Sequence, residues 1–419
     1  MDLLMAELFV VPDLPDPPDR PDPIEPPGPL RVAVVGPSHP FKGGVAAHTT
    51  QTAHALAAAG HDVELVSWSR LYPHALYPGE QAVPDGGPDL PPFPNTTRPL
   101  RWDRPNSWWS TGKALRDVDL VVIVVVVPVQ VPSLLALVRS IRMASRGRRV
   151  GAAKPRIIAI AHNVVPHETH PGGEFLIRQM LRSVDGIVVH SAEQARLAHE
   201  LGLDRRPVVT VPLAPHLPGG LPEPAGRQLA AGRAPRSAGD PLRVLTLGMV
   251  REYKGYDLLL EAAKGVPEVT VTVAGEQWGA AGERVRELAA DPALAARVHV
   301  MPGYVAGVDI PALMASHDVL ALPYRHATAS QNVLLGHAHG LPVLATSVGT
   351  FPDDVHDGVD GLLVPSADVP ALVTALKQLT APGELDRLRA GLPDIDLAGP
   401  WDRYVEALTG VVPVESRQP

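Results

Sequence analysis

Short β-branched runs alternate with amphipathic helical stretches along most of this chain, and the alternation falls into two blocks. The first block opens on RVAVVGPSHP, an apolar run that stops in a Gly/Pro loop. HTTQTAHALAAAG follows as a helical stretch closed by Gly60. HDVELVSW, DLVVIVVVV, RIIAIAH, GIVVH and VVTVP are further strand-length runs, each bounded by polar residues or glycine. The longest apolar run, Leu120 to Val131, is too short to span a bilayer and carries a proline. Its β-branched content suits a parallel strand covered on both faces.

The second block repeats the logic. LRVLTLGMV, VTVTVAG, RVHVMPGYV, VLALPY and LPVLATSVG read as strands; GYDLLLEAAKGV, AGERVRELAAD, DIPALMASHD and NVLLGHAHG read as helices between them. Strands separated by helices predict doubly wound parallel sheets. The expected division is a Pro/Asp-rich disordered tail (1–30), a Rossmann-like domain (31–215), a linker rich in Pro, Gly and Ala (216–241), a second Rossmann-like domain (242–395), a helix returning to the first domain (396–412) and a short tail (413–419). The glycines of DGVDGLLVP read as turn formers.

Composition narrows the chemistry. The 419 residues are 45% hydrophobic, enough for two sizeable cores. A net charge of −8 argues against nucleic acid as the main partner. The absence of cysteine removes thiol catalysis, disulfides and thiolate metal sites, and fits a reducing cytoplasm. The first thirty residues lack the basic-then-apolar pattern of a signal peptide.

Four loops after strands carry candidate chemistry. Gly43 and Gly44 stand before a helix, where their amides can meet an anion or simply form a turn. Arg251 and Lys254 follow a core strand, placed either to hold a diphosphate or as solvated surface charge. Thr328, Ser330, Gln331 and Asn332 precede a helix, as phosphate and ribose contacts or as plain N-capping. His162 ends a buried strand, as a ligand contact or as a structural histidine bonded to a carbonyl. His167 and Glu168 are near it, but no third metal ligand follows, so no metal site is expected. No G-x-G-x-x-G follows the first strand, which argues against a dinucleotide oxidoreductase.

In order and spacing, G-M-V-R-E-Y-K-G-Y-D-L-L-L-E-A, L-P-Y-R-H-A-T-A-S-Q, the Gly43–Gly44 loop and the strand ending in His162-Asn163 resemble glycosyltransferase family 4, over roughly residues 31 to 410. The resemblance implies the GT-B architecture, two Rossmann-like α/β domains facing a cleft. It implies transfer of a sugar from a nucleotide-diphosphate-sugar donor to a hydroxyl acceptor with retention at the anomeric carbon, and no metal or other cofactor. It makes Arg251 and Lys254 the diphosphate contacts, Gly43 and Gly44 the loop approaching the donor phosphate, and His162 the histidine beside the donor sugar. Thr328 and Ser330 become phosphate or ribose contacts, and Gly275 and Glu276 lie by the base. Two glutamates common in the family are Ala327 and Leu335 here, and Met249 stands where an arginine is common. These departures look like a subgroup whose pattern reads G-x-x-R-x-Y-K-G and A-T-x-S.

His48 enters as a guessed acceptor contact, while the tryptophans at Ser107–Trp109 are assigned to packing. Over 133–149, Leu134, Leu137, Val138 and Ile141 form one stripe, and Arg139, Arg142, Arg146 and Arg149 another. Such a helix either lies on an anionic membrane, implying a lipid-linked acceptor at the inner face, or packs on the sheet with a solvated basic face. A sugar acceptor free in the cytoplasm is the other partner class. The rival functions are a catalytically silent GT-B module serving as a partner subunit, motivated by Ala327 and Leu335, and a sugar-nucleotide epimerase.

Overall fold

The computed structural model describes residues 28–73, 81–83, 90–147, 153–165, 172–222, 224–237, 239–327 and 330–410. The two expected tails lie almost wholly outside them, as do Thr328, His167, Glu168 and Arg149. The first sheet has seven strands: β1 (Arg31–Val35), β2 (Asp62–Arg70), β3 (Thr96–Arg101), β4 (Leu120–Val125), β5 (Arg156–Ala161), β6 (Gly186–Val189) and β7 (Val208–Thr210), in the order β3-β2-β1-β4-β5-β6-β7. The second has six: β8 (Leu242–Leu247), β9 (Val269–Gly275), β10 (Val298–Pro302), β11 (Val319–Leu322), β12 (Val343–Thr346) and β13 (Gly361–Val364), in the order β10-β9-β8-β11-β12-β13. All pairings within both sheets are parallel.

The continuous burial of β4, from Leu120 to Val125, follows from helices on both faces of a parallel sheet. Each face of the first sheet has its own core; the second domain has one large core. Each strand order reverses once, between β1 and β4 and between β8 and β11. Ligands of such sheets bind at the carboxyl ends of the strands beside that reversal.

The structure adds to three expectations. The linker stretch 216–241 carries the helix Arg227–Gly232 and docks on the second domain. Gly226 N–H donates to Ala338 O at 2.9 Å, and the Arg233 guanidinium donates to the carbonyls of Met314, Ala315, His317 and His339. The glycines of DGVDGLLVP do shape a turn, with Gly358 at φ 72° within it, and Gly361 then opens strand β13, where a Cβ would lie 2.2 Å from Val343 O. The apolar stripe Leu134, Leu137, Val138 and Ile141 is buried in the first domain's core, so it faces the sheet and not a bilayer. Arg142 on that helix is held by Ser183 O and Asp185. Among the described residues, no helix is long and apolar enough to cross a membrane.

The last helix, Ala398–Gly410, packs Trp401, Tyr404, Val405 and Leu408 into the first domain's core beside Val32, Val34 and Leu56. Trp401 Nε1 donates to Pro215 O at 2.7 Å, tying the returning chain to the outgoing connection.

Candidate functional site

Loops from both reversal points meet across the cleft. After β8 the chain passes through Gly248, Arg251 and Lys254 and turns at Gly255 into the helix Tyr256–Lys264. Gly255 sits at φ 62°, and a Cβ there would lie 2.1 Å from Pro323 O, so only glycine lets this loop lie against the end of β11. Arg325 pins the loop from outside: it forms a two-pronged ion pair with Asp257 at 2.7 and 2.9 Å and donates to Glu252 O.

The two cations of this loop have aromatic neighbours and, among the described residues, no carboxylate partner. Lys254 Nζ lies 5.5 Å from the Tyr324 ring centre and 5.9 Å from that of Tyr256. Burial, and then Arg251, pull its pKa down. The Arg251 guanidinium stands 4.5 Å over the Trp278 ring. Cations taken even partly out of water without a countercharge are costly to the fold, so the pair is a candidate place for an anion.

β9 ends at Gly275, with φ 146° and room for no Cβ, because Gly248 O would lie 2.1 Å away. Gly248 N–H donates to Ala274 O and Val250 N–H to Glu276 O, so β9 sets the height of the Arg251 loop. Replacing Gly275 by alanine should therefore cost about 3 kcal/mol, combining backbone strain with a forced parting of β8 and β9. At Gly43, with φ 99° and open space around a Cβ, alanine should cost about half as much. Urea midpoints of the two variants test this ordering; equal losses would show that the close approach at Gly275 is not limiting.

Facing this loop, Gly43 caps the helix Gly44–Ala58 at the reversal between β1 and β4. A Cβ on Gly44 would lie 3.3 Å from His216 Nε2. The preceding Lys42 reaches across the cleft, its Nζ 2.5 Å from Glu276 Oε1 and 5.6 Å from the Tyr304 ring centre. Glu276, expected beside a nucleoside, thus pairs with the opposite domain.

The candidates before the helix Asn332–Ala338 divide. Ser330 Oγ accepts from Asn332 N–H, as a cap would. Asn332 Nδ2 donates to Leu247 O and to Tyr324 Oη, stitching β8 to the loop after β11. Gln331 Oε1 accepts from His216 N–H and its Nε2 donates to Leu213 O, so this side chain grips the interdomain connection. Both amides therefore shape the site through bonds within the protein. Leu335 lies in the second core.

His162 directly follows β5, with Nε2 buried and, among the described residues, unpartnered. It belongs to a nest of four: the His48 ring centre lies 5.1 Å from those of His162 and His216 and 5.9 Å from that of His190. His48 is fully buried and stacks on Trp401 at 5.4 Å, so it cannot touch an acceptor in the cleft. Burial holds all four neutral, with His48 and His162 pushed well down and His190 and His216 down to about 4. Among the described residues, no three His, Asp or Glu side chains are arranged for a metal ion.

Lys42, Trp278, Tyr304 and Tyr324 were not singled out from the sequence. A cation directly before Gly43-Gly44 was the available signal for Lys42.

Comparisons with known proteins bear on the family and the fold. A family model described as Glycosyltransferase Family 4 matches residues 42–214, and one described as Glycosyl transferases group 1 matches 241–381. The chain is 30% identical over 246 residues to a D-inositol 3-phosphate glycosyltransferase from Geodermatophilus obscurus, covering 55% of this chain and 52% of that protein. It is 32% identical over 183 residues to a GDP-mannose-dependent alpha-(1-6)-phosphatidylinositol monomannoside mannosyltransferase from Mycolicibacterium smegmatis, covering 40% and 47%. The chain thus spans about half the length of the curated relatives it matches. In fold, it superimposes on Anabaena HepE in complex with UDP-glucose, with TM-score 0.66, 12% identity and coverage of 91% and 100%. It also superimposes on sucrose-phosphate synthase from Thermosynechococcus elongatus, with TM-score 0.62, 18% identity and coverage of 91% and 95%.

Proposed function

We infer, from a chain that belongs to the family 4 glycosyltransferases and folds as a GT-B protein, that its cleft moves a sugar from a nucleoside-diphosphate donor to a hydroxyl acceptor with retention. The observation that carries this reading is the pair Arg251 and Lys254, cations without carboxylate partners among the described residues, at a strand-order reversal whose loop is joined to the Gly43–Gly44 loop through Lys42 and Glu276.

In the reaction, the bond between the anomeric carbon and the donor phosphate oxygen breaks, and a bond to the acceptor oxygen forms on the same face. The acceptor proton passes to the departing phosphate oxygen. Negative charge grows on that phosphate, and Arg251 and Lys254 are fixed beforehand where it grows. The amides at Gly43 and Gly44 approach the phosphate from the other domain. His162, neutral at pH 7, offers an uncharged ring at the edge where the sugar lies. No cofactor enters this scheme.

The silent-module alternative has one observation in its favour: Leu335, in place of a common glutamate, is buried in the core. Retention of both cations, with no carboxylate partner among the described residues, weighs against it, because a silent module has no reason to keep the cost of holding them.

The experiment is a thermal-shift series with UDP, GDP, ADP and their sugar conjugates, on the wild type and on Arg251→Ala/Lys254→Ala. One nucleotide class should stabilise the native state by about 2.7 kcal/mol at a hundredfold excess over Kd, and the double variant should lose that gain. A well-folded protein that no nucleotide stabilises would refute the reading. The anomeric configuration of the product, by proton NMR, separates retention from inversion.

A further inference from the structure

We propose that Lys42 is a positioning residue that closes the cleft: by pairing with Glu276 it draws the glycine loop of the first domain onto the cation loop of the second. The proposal rests on the transferase reading and adds how the site is assembled for it.

The pair is built into the structure. Lys42 is seated from behind, its N–H donating to Gln81 O while Val83 N–H donates to Pro40 O. From that seat the side chain crosses to Glu276, and the two side chains are only 4% and 18% exposed. The Tyr304 ring, on the loop after β10, lies 5.6 Å from the ammonium. A buried ion pair of this kind depends on both partners, since removing either strands the other charge.

Its position gives it leverage. On one side, Lys42 is covalently next to Gly43 and Gly44. On the other, the Glu276 carbonyl accepts from Val250 N–H, one residue before Arg251. The pair therefore joins the amide loop to the cation loop through one ion pair and one backbone hydrogen bond. Other bonds linking the domains, Gln331 to Leu213 O and His216 N, and Trp401 to Pro215 O, lie on the connecting segments, where a hinge would keep them. The Lys42–Glu276 pair is across the cleft itself, where separation of the domains would break it.

Arg251 and Lys254 belong wholly to the second domain, so a nucleoside diphosphate can bind there without closure. Transfer needs the Gly43–Gly44 amides as well, and they arrive only when the cleft shuts. Loss of the latch should therefore act on turnover more than on nucleotide affinity.

The test uses the full chain with Lys42→Met and the charge exchange Lys42→Glu/Glu276→Lys. Three readouts are taken: nucleoside diphosphate Kd by calorimetry, kcat and KM by product formation, and the ligand-free radius of gyration by small-angle scattering. Lys42→Met should lower kcat by up to about 10²-fold, leave Kd within about threefold and raise the radius of gyration. The charge exchange, if folded by circular dichroism, should recover much of the lost turnover and the compact form. Should it not fold, Glu276→Gln takes its place and should repeat the Lys42→Met pattern. An equal loss in Kd and kcat would overturn the proposal by making Lys42 a direct donor contact. Unchanged turnover and scattering, or a folded exchange that rescues neither, would overturn it as well. If no nucleotide binds the wild type, the transferase reading fails, yet the scattering comparison still decides whether the pair closes the cleft.

Discussion

Replacing Lys254 by methionine is expected to lower kcat/KM by about 10³-fold while leaving the unfolding midpoint unchanged or higher. The two halves have one cause. Lys254 is a buried ammonium with ring faces beside it and, among the described residues, no carboxylate, so its charge is held in place at a cost to the folded state. Methionine keeps the length of the side chain and removes that cost. It also removes a charge fixed where the departing nucleoside diphosphate becomes more negative. Removal of a single pre-organised donor from such a site costs roughly 10²–10³ in rate. Arg251→Ala should lose less, about 10²-fold, since its guanidinium stands over the face of one ring, Trp278, and its charge is spread over three nitrogens. The double variant should fall well short of the product of the two losses, because the cations act as a unit. Steady-state product formation at several donor concentrations, alongside urea unfolding, measures both halves. A Lys254→Met protein that keeps its turnover would remove the cation loop from the mechanism. One that loses turnover and stability together would make Lys254 part of the fold.

What could be read along the chain follows from how local each signal is. The inner strands announce themselves because burial on both faces demands apolar runs, as in Leu120–Val125. β3, Thr96–Arg101, was overlooked because an edge strand with the sequence TTRPLR carries little apolar signal. The cation loop and the glycine pair were legible for the same local reason: a charge or a positive φ is required within a few residues of a strand end. Lys42 and Glu276 are 234 positions apart, and only the approach of two separately folded domains brings them together. His48 failed as an acceptor contact for a related reason. Its helical position says nothing about the last helix, whose Trp401 and Tyr404 close over it. Gln331 and Asn332 sit where a cap or a ligand contact looks identical in one dimension; their bonds to Leu213, His216, Leu247 and Tyr324 are long-range or cross-loop and could not be read there.

The histidine nest makes acid lability the second large effect. His48, His162, His190 and His216 are neutral in the folded protein because burial lowers each, and the neighbouring histidines lower His48, His162 and His190 further. Unfolded, each would titrate near 6.5, so between that value and about 4 the unfolded chain binds protons that the folded chain refuses. Stability from these groups is therefore complete above pH 6.5 and is lost as the pH falls. At pH 5 the loss is on the order of 2 kcal/mol for each histidine held near 4, a large share of the 5–15 kcal/mol that holds a domain together. In the second domain, His317, His337 and His339 are also lowered by burial and add in the same direction. Asp318 acts elsewhere: burial pushes its pKa up, Arg243 and Arg389 outweigh that, and the net depression matters only below the ordinary carboxylate range. His48→Phe tests the nest directly. Among the described residues, neither ring nitrogen of His48 has a hydrogen-bond partner, and its ring neighbours are the other three histidines, Trp401 and Tyr404, so a phenyl ring suits the space. The variant should be at least as stable as the wild type at pH 7.5, and urea midpoints from pH 5 to 7.5 should show about one proton fewer taken up on unfolding. A His48→Phe protein that is clearly weaker at pH 7.5, with an unchanged pH slope, would mean that the imidazole holds a bonded partner in solution and that the nest is not a store of neutral histidines. With the slope reduced as expected, acid sensitivity traces to the place where both connections between the domains, through Pro215–His216 and Trp401, cross. The cleft should then lose turnover over the pH range in which the nest takes up protons.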